Sequence, residues 1–328
     1  MKKKQIIGIV VAGVMFIITA TASTVVNQYI ENVSISENDS SVSMLDKSIK
    51  LPSNDFIGVV NVNGTIVNND PTESALRVLE YDHDQIIKYI DDMEYSNNNK
   101  GLLLVVDSPG GTVYASDELY LKLKEYKDIT GRPIWTYMKS YACSGGYYIS
   151  MASDKIFANR NTWTGSIGVI ISTYNLKGLF DEYGIQEINI TSGPNKAMGA
   201  MGEEMTDERR AIFQSLVDES YEQFVSIVAN GRNMSVDEVK TLADGRIYTA
   251  QQAVDNGLID GIDSYEQVCK NMLAEVGDAD IFVPSNEYAN IVSLFGKSQL
   301  LKKSETEAVL DALQGKESEV MYYAEGLK

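Results

Sequence analysis

From residue 56 onward, apolar positions fall in short unbroken runs, and between the runs they recur at intervals of three and four. The first pattern suits strands buried on both faces and the second suits helices that cover them, so their alternation predicts an α/β domain. Residues 57–62 and 65–67 flank an Asn63-Gly64 turn and predict a hairpin. Residues 84–93 have helical spacing. Residues 101–106 predict a buried strand that stops at Asp107-Ser108-Pro109-Gly110-Gly111, with a helix over 116–127 behind it. Further strands are expected at 134–137, 155–158, 166–171 and 185–190, and further helices at 144–152, 206–229, 248–256 and 265–276. The order is a series of β-β-α steps, each too small to fold alone.

The amino terminus has a different pattern. Lys2, Lys3 and Lys4 precede an apolar, charge-free stretch over residues 6–26. At about 1.5 Å per helical residue it is long enough to cross a hydrocarbon core of about 30 Å. The expected organisation is a membrane anchor at 1–30, an extracytoplasmic linker at 31–55, a catalytic domain at 56–295 and a carboxy-terminal tail at 296–328. The lysines stay on the cytoplasmic side of a cell membrane, which puts the rest of the chain outside the cytoplasm. The small residues Ala20-Thr21-Ala22 give the competing expectation, a cleaved export signal. The tail is charged and is expected to be solvated, although its apolar end, Met321-Tyr322-Tyr323, suits docking in a groove.

Charge and composition narrow the chemistry. Forty-six acidic against 28 basic residues leave a net charge of −18, which repels phosphate backbones and argues against a nucleic-acid partner. The chain has one histidine, His83, and two cysteines, Cys143 and Cys269. That set builds neither a four-ligand zinc site nor a disulfide framework, so no metal and no cofactor is expected. His83 lies in a polar stretch and reads as an exposed surface imidazole.

Catalysis then has to use hydroxyls, amides and amines. Gly110-Gly111 closes a buried strand and leaves backbone N–H groups unshielded by side chains, an arrangement that attracts oxyanions. Ala142-Cys143-Ser144-Gly145-Gly146 places the Ser144 hydroxyl at a turn and helix start, with the amides of Gly145 and Gly146 beside it. Cys143 is the rival nucleophile, but with no histidine or cation near it in sequence it reads as a small packed hydrophobe. With His83 set aside, lysine is the remaining base. Lys196 lies in a small-residue loop, Ser192-Gly193-Pro194-Asn195-Lys196-Ala197-Met198-Gly199, with no acid within six residues on either side. Loss of water around such an amine favours its neutral, proton-accepting form. Ser166, in Thr164-Gly165-Ser166-Ile167-Gly168, is placed to orient it.

Taken in order, Asp107 to Gly111, Ala142 to Gly146, Thr164 to Gly168, the Lys196 loop, and Gly245-Arg246-Ile247-Tyr248-Thr249 leading to Asn256-Gly257-Leu258-Ile259-Asp260 resemble the signal peptide peptidase A family in its half-size bacterial form. The resemblance implies a crotonase-like (ClpP/crotonase) ββα superhelix. It also implies a membrane serine endopeptidase that degrades remnant signal peptides and other short hydrophobic peptides. In that likeness Ser144 is the nucleophile, Lys196 the general base, Ser166 the residue that orients the lysine, and Gly111 with Gly145 the oxyanion-binding amides. A homo-oligomeric dome, an octamer, in which neighbouring protomers share the serine and lysine, is implied in the same way. Residues Ala200-Met201-Gly202-Glu203 stand where such members commonly carry polar residues and an arginine. Two alternatives keep the fold and change the function: a crotonase-type acyl-CoA enzyme, which the anchor and the negative charge oppose, and a catalytically silent membrane scaffold.

Overall fold

The computed structural model describes residues 49–68, 81–284 and 321–323. The chain divides into two units, residues 1–48 and 49–328. The first unit, and with it the expected transmembrane helix, lies outside the described residues; among the described residues no helix is long and apolar enough to cross a membrane.

The second unit runs β1 (Phe56–Asn63), α1 (His83–Glu94), β2 (Asn99–Ser108), β3 (Gly110–Thr112), α2 (Val113–Thr130), β4 (Ile134–Cys143), α3 (Gly145–Ser150), β5 (Lys155–Ala158) and β6 (Trp163–Gly165). It continues with α4 (Lys177–Tyr183), α5 (Asp207–Arg232), α6 (Val236–Leu242), β7 (Ile247–Thr249), α7 (Ala250–Asp255), β8 (Gly261–Ile262), α8 (Tyr265–Val276) and β9 (Asp280–Phe282). A last strand, β10 (Met321–Tyr323), lies near the carboxy terminus. Among the described residues eight strands join one sheet, ordered β7-β6-β4-β2-β1-β9, with β5 on β4 and β8 on β5. Every pairing in it is parallel except β6 with β7.

The unbroken apolar runs follow from burial on both faces of this sheet. In β2, Leu102, Leu104 and Val106 enter one core with Leu119, Leu123, Tyr126, Tyr147 and Tyr148 from α2 and α3. The alternate residues Leu103 and Val105 enter a second core with Trp135, Tyr137, Val268 and Met272. Each such side chain contributes about 1.5–3 kcal/mol on burial. Ile49 and Leu51 also pack against the larger core.

Four expectations change. Thr65 to Val67 does not return along β1, because β1 already pairs with β2 on one edge and β9 on the other. Asn63-Gly64 does turn the chain, with Gly64 at φ 83, but it delivers Ile66 to a parallel bridge with Gly111. No strand forms over 166–171 or 185–190. The second stretch leaves Ile188 78% and Ile190 97% exposed. His83 is buried rather than exposed: its Nδ1 bonds the Tyr81 hydroxyl at 2.6 Å and its Nε2 the Glu118 carboxylate at 2.9 Å. Finally, the tail is not wholly solvated, since β10 pairs antiparallel with β3.

Candidate active site

The long strand β4 divides its outer edge between two partners. Trp135 to Met138 pair with β5, and Tyr141 to Cys143 pair with β6. The bend between these halves is held by Asp107, at the end of β2, whose carboxylate accepts the N–H groups of Ser140 and Tyr141 at 3.2 and 3.1 Å. Sequence reading gave Asp107 no part beyond closing the strand; its position directly ahead of Ser108-Pro109-Gly110 was the available signal. Its role here is to aim the last residues of β4, and therefore Ser144.

Ser144 caps α3 with φ 52 and ψ −115, a conformation that costs a residue bearing Cβ about 1–3 kcal/mol. Its N–H donates to the Gly165 carbonyl at 2.7 Å, and its carbonyl accepts the Tyr148 N–H at 2.8 Å, so both backbone groups are fixed. The residue is 1% exposed, and its Oγ has no hydrogen-bond partner. A buried hydroxyl without a partner costs about 1–3 kcal/mol. Strain and an unmet hydroxyl at one residue, where a strand turns sharply into a helix, mark Ser144 as a candidate functional residue.

Gly145 follows Ser144 directly, and Gly111 lies in β3, a strand that contacts α3. Ser108 pairs with Ala142, which brings the ends of β2 and β4 together, and β3 lies against α3. Gly145 is buried at the first position of α3, where an N–H has no intrahelical acceptor. A Cβ built on Gly111 would lie 1.8 Å from the Ile66 carbonyl oxygen, so only glycine allows the backbone to pass there. Gly111→Ala is expected to lower stability by about 1–3 kcal/mol through this clash, read as a drop in the thermal midpoint. A midpoint equal to wild type would show that the approach relaxes without cost.

Ser166 follows Gly165, the residue whose carbonyl holds Ser144, and its N–H donates to the Arg246 carbonyl at 2.8 Å. It is buried with φ 50, so the structure brings Ser144 and Ser166 to neighbouring positions. Lys196 is elsewhere. It lies exposed in a turned segment where its N–H bonds the Gly193 carbonyl at 3.2 Å, and within the single chain its amine does not hydrogen-bond Ser144 Oγ.

Cys143 is buried, its Sγ donates to the Trp163 carbonyl at 3.4 Å, and burial pushes its thiol up to about 12. A thiol so held is a packing group, not a nucleophile. A separate hollow of about 710 Å³ opens beside Tyr137, Lys139, Ser140 and Tyr265, and Ser144 does not line it.

Residues 127–279, which include Ser144, Ser166 and Lys196, match peptidase family S49. A protein of Enterococcus faecium named for signal peptide peptidase SppA is 41% identical over 252 residues, which cover 76% of this chain and 72% of that one. The chain belongs to the SppA family of peptidases. A Synechocystis protein named as a protease is 42% identical over 180 residues, 55% of this chain and 63% of that one. The chloroplastic serine protease SPPA of Arabidopsis thaliana is 29% identical over 239 residues, 70% of this chain but 35% of its own length. The mostly parallel α/β sheet fits this family, and the chain is a peptidase.

Proposed function

We propose that this peptidase is a serine endopeptidase in which Ser144 attacks and Lys196 acts as the base, and that it degrades short hydrophobic peptides, remnant signal peptides among them. The observation that carries the reading is Ser144, a buried residue with a strained backbone whose hydroxyl has no partner, at the start of α3. In the mechanism, the neutral Lys196 amine takes the Ser144 proton as Oγ bonds to the scissile carbonyl carbon. The carbonyl oxygen becomes an oxyanion held by the N–H groups of Gly111 and Gly145. Collapse expels the amine fragment, which receives the proton from Lys196. Water, deprotonated by the same amine, then hydrolyses the ester and frees Ser144. Ser166 orients the lysine. The name of the enterococcal relative supports the substrate class, and the apolar run at 6–26 supports a membrane anchor with the catalytic unit outside the cytoplasm.

Assembly belongs to the same reading. Lys196 lies on a segment that exposes Leu179, Tyr183, Ile188 and Ile190 together, and α4 within it buries none of its residues. Exposed apolar surface of this kind favours contact with a second protein surface. A homo-oligomeric ring, eight-membered in the family's likeness, would cover that surface and carry Lys196 to a neighbour's Ser144.

A fluorophosphonate probe followed by peptide mapping tests the serine mechanism. The label is expected on Ser144 in the assembled protein. Unlabelled Ser144 in protein that hydrolyses peptides overturns the assignment.

A further inference from the structure

The hollow of about 710 Å³ lies where the outer edge of β4 changes partner. Lys139 and Ser140, between the stretch that pairs with β5 and the stretch that pairs with β6, line it. So do Asn159 and Asn161, in the link from β5 to β6. The sheet register adds a row, Asn61, Val105 and Tyr137, across β1, β2 and β4, and the Tyr265 ring stands edge to face on Tyr137 with centroids 5.5 Å apart. Val105 and Tyr137 belong to the second core, whereas the helix that starts behind Ser144 packs into the first. The hollow is therefore separate from the catalytic turn.

Its lining selects a ligand by charge and by shape. Although acidic residues outnumber basic ones 46 to 28 in the chain, no lining side chain is a carboxylate and one, Lys139, is an ammonium. That ammonium lies 3.8 Å from the Asp107 carboxylate, too far for a hydrogen bond, so its donors stay available. A single lysine among carboxamides suits a monoanion. Asn159 Oδ1 accepts the Asn161 N–H at 3.0 Å, which leaves the Asn159 NH2 to donate. The carboxamides of Asn61 and Asn161 match the N–H and C=O of a peptide group, and Val105, Tyr137 and Tyr265 form an apolar wall. Small-ligand sites combine an apolar wall with a few polar groups in about 300–1,000 Å³. We propose that this hollow binds the free carboxylate end of a short apolar peptide, with the carboxylate on Lys139 and the last side chain against Tyr137 and Tyr265. Hydrolysis of a peptide bond creates such an end, so taking the ligand to be the enzyme's own product rests on the peptidase reading; the site itself does not.

Occupancy has a route to Ser144. The Asp107 carboxylate near Lys139 is the one that holds the Ser140 and Tyr141 N–H groups and so aims the end of β4. A peptide carboxylate on Lys139 draws the ammonium away and sets a second negative charge beside Asp107. The bend loosens, which lowers kcat and leaves KM unchanged.

Dansyl-leucyl-leucine with a free carboxylate is expected to bind the full chain carrying Ser144→Ala, read by anisotropy, about tenfold more tightly than its carboxamide counterpart. Adding Lys139→Met is expected to remove that preference, and adding Asn61→Leu instead to weaken binding of both forms while keeping it. In the active enzyme, unlabelled acetyl-leucyl-leucine is expected to lower kcat for a fluorogenic apolar peptide severalfold at constant KM, and to have no effect in Lys139→Met. Equal binding of acid and carboxamide, or a preference that survives Lys139→Met, overturns the site. A rise in KM at constant kcat puts the acid in the catalytic groove and overturns it as well. Selective, Lys139-dependent binding to a protein whose wild-type form hydrolyses no peptide upholds the site and overturns the peptidase reading. Hydrolysis without selective binding overturns the site alone.

Discussion

Ser144→Ala is expected to lower peptide turnover by about 10⁴- to 10⁶-fold, the loss seen when a covalent nucleophile is removed and only binding and oxyanion stabilisation remain. The physical case lies in what surrounds the hydroxyl. Its backbone is pinned on both sides, at Gly165 and at Tyr148, while the Oγ is left without a partner. Removing that oxygen relieves an unmet polar group, so the variant is expected to melt no lower than wild type. An inactive but fully stable protein separates lost chemistry from lost structure, since functional strain commonly opposes stability. The adjacent thiol supplies the contrast. With Cys143 pushed up to about 12 by burial, its thiolate at pH 8 is about one part in 10⁴, so iodoacetamide is expected to leave it unmodified in the folded chain. Cys143→Ala is expected to keep turnover within a fewfold of wild type. Activity that survives in Ser144→Ala and vanishes in Cys143→Ala would transfer the nucleophile to sulfur.

The central sheet was legible because its strands are buried on both faces, which leaves no polar alternation to confuse the period. Leu102 to Val106 and Ile134 to Tyr137 announce themselves in that way. Their ends were less visible, because the ends are set by single side chains and not by runs. The α2 helix begins at Val113, three residues before its periodic pattern, since the Thr112 hydroxyl accepts the Ala115 N–H at 3.2 Å and caps it. Strand β4 continues through polar Lys139 and Ser140 to Cys143 because Asp107, on the neighbouring strand, holds the bend. His83 shows the limit of local reading. Its neighbours in sequence are acidic, yet Glu118, 35 residues on, supplies one of its bonds, and helix packing buries the ring. Of the candidate site, Gly111, Ser144, Gly145 and Ser166 could be chosen from turn chemistry, since each lies in a short glycine-containing motif behind an apolar run or beside one. The pairing of Tyr322 with Gly111 joins positions far apart in the chain, and nothing in a three-residue strand identifies its partner. The alternating Ile188 and Ile190 imitate a half-buried strand, but no other part of the described chain covers them.

The second large effect concerns Lys196. Lys196→Ala is expected to reduce turnover on the order of 10⁴-fold, because Ser144 Oγ then has no group to take its proton. The informative experiment mixes two inactive chains. In one chain the amine stays exposed and makes no bond to the Ser144 hydroxyl, while the hydroxyl is buried without a partner. An exposed amine and a buried hydroxyl without a partner, apart in one chain, fit a head-to-tail contact in which the lysine of one chain reaches the serine of its neighbour and the contacts close into a ring. Co-assembly of equal amounts of Ser144→Ala and Lys196→Ala chains then places an intact serine beside an intact lysine at about one interface in four, since each is present with probability one half and the ring assembles at random. About a quarter of wild-type turnover is therefore expected from the mixture, with none from either chain alone. If the lysine instead swings to the serine of its own chain, every mixed ring contains only broken dyads and turnover stays at background. A mixture that stays inactive, while size-exclusion chromatography with labelled chains shows that the two have entered one assembly, removes the shared dyad and leaves a hinge in the Lys196 segment as the way the two groups meet.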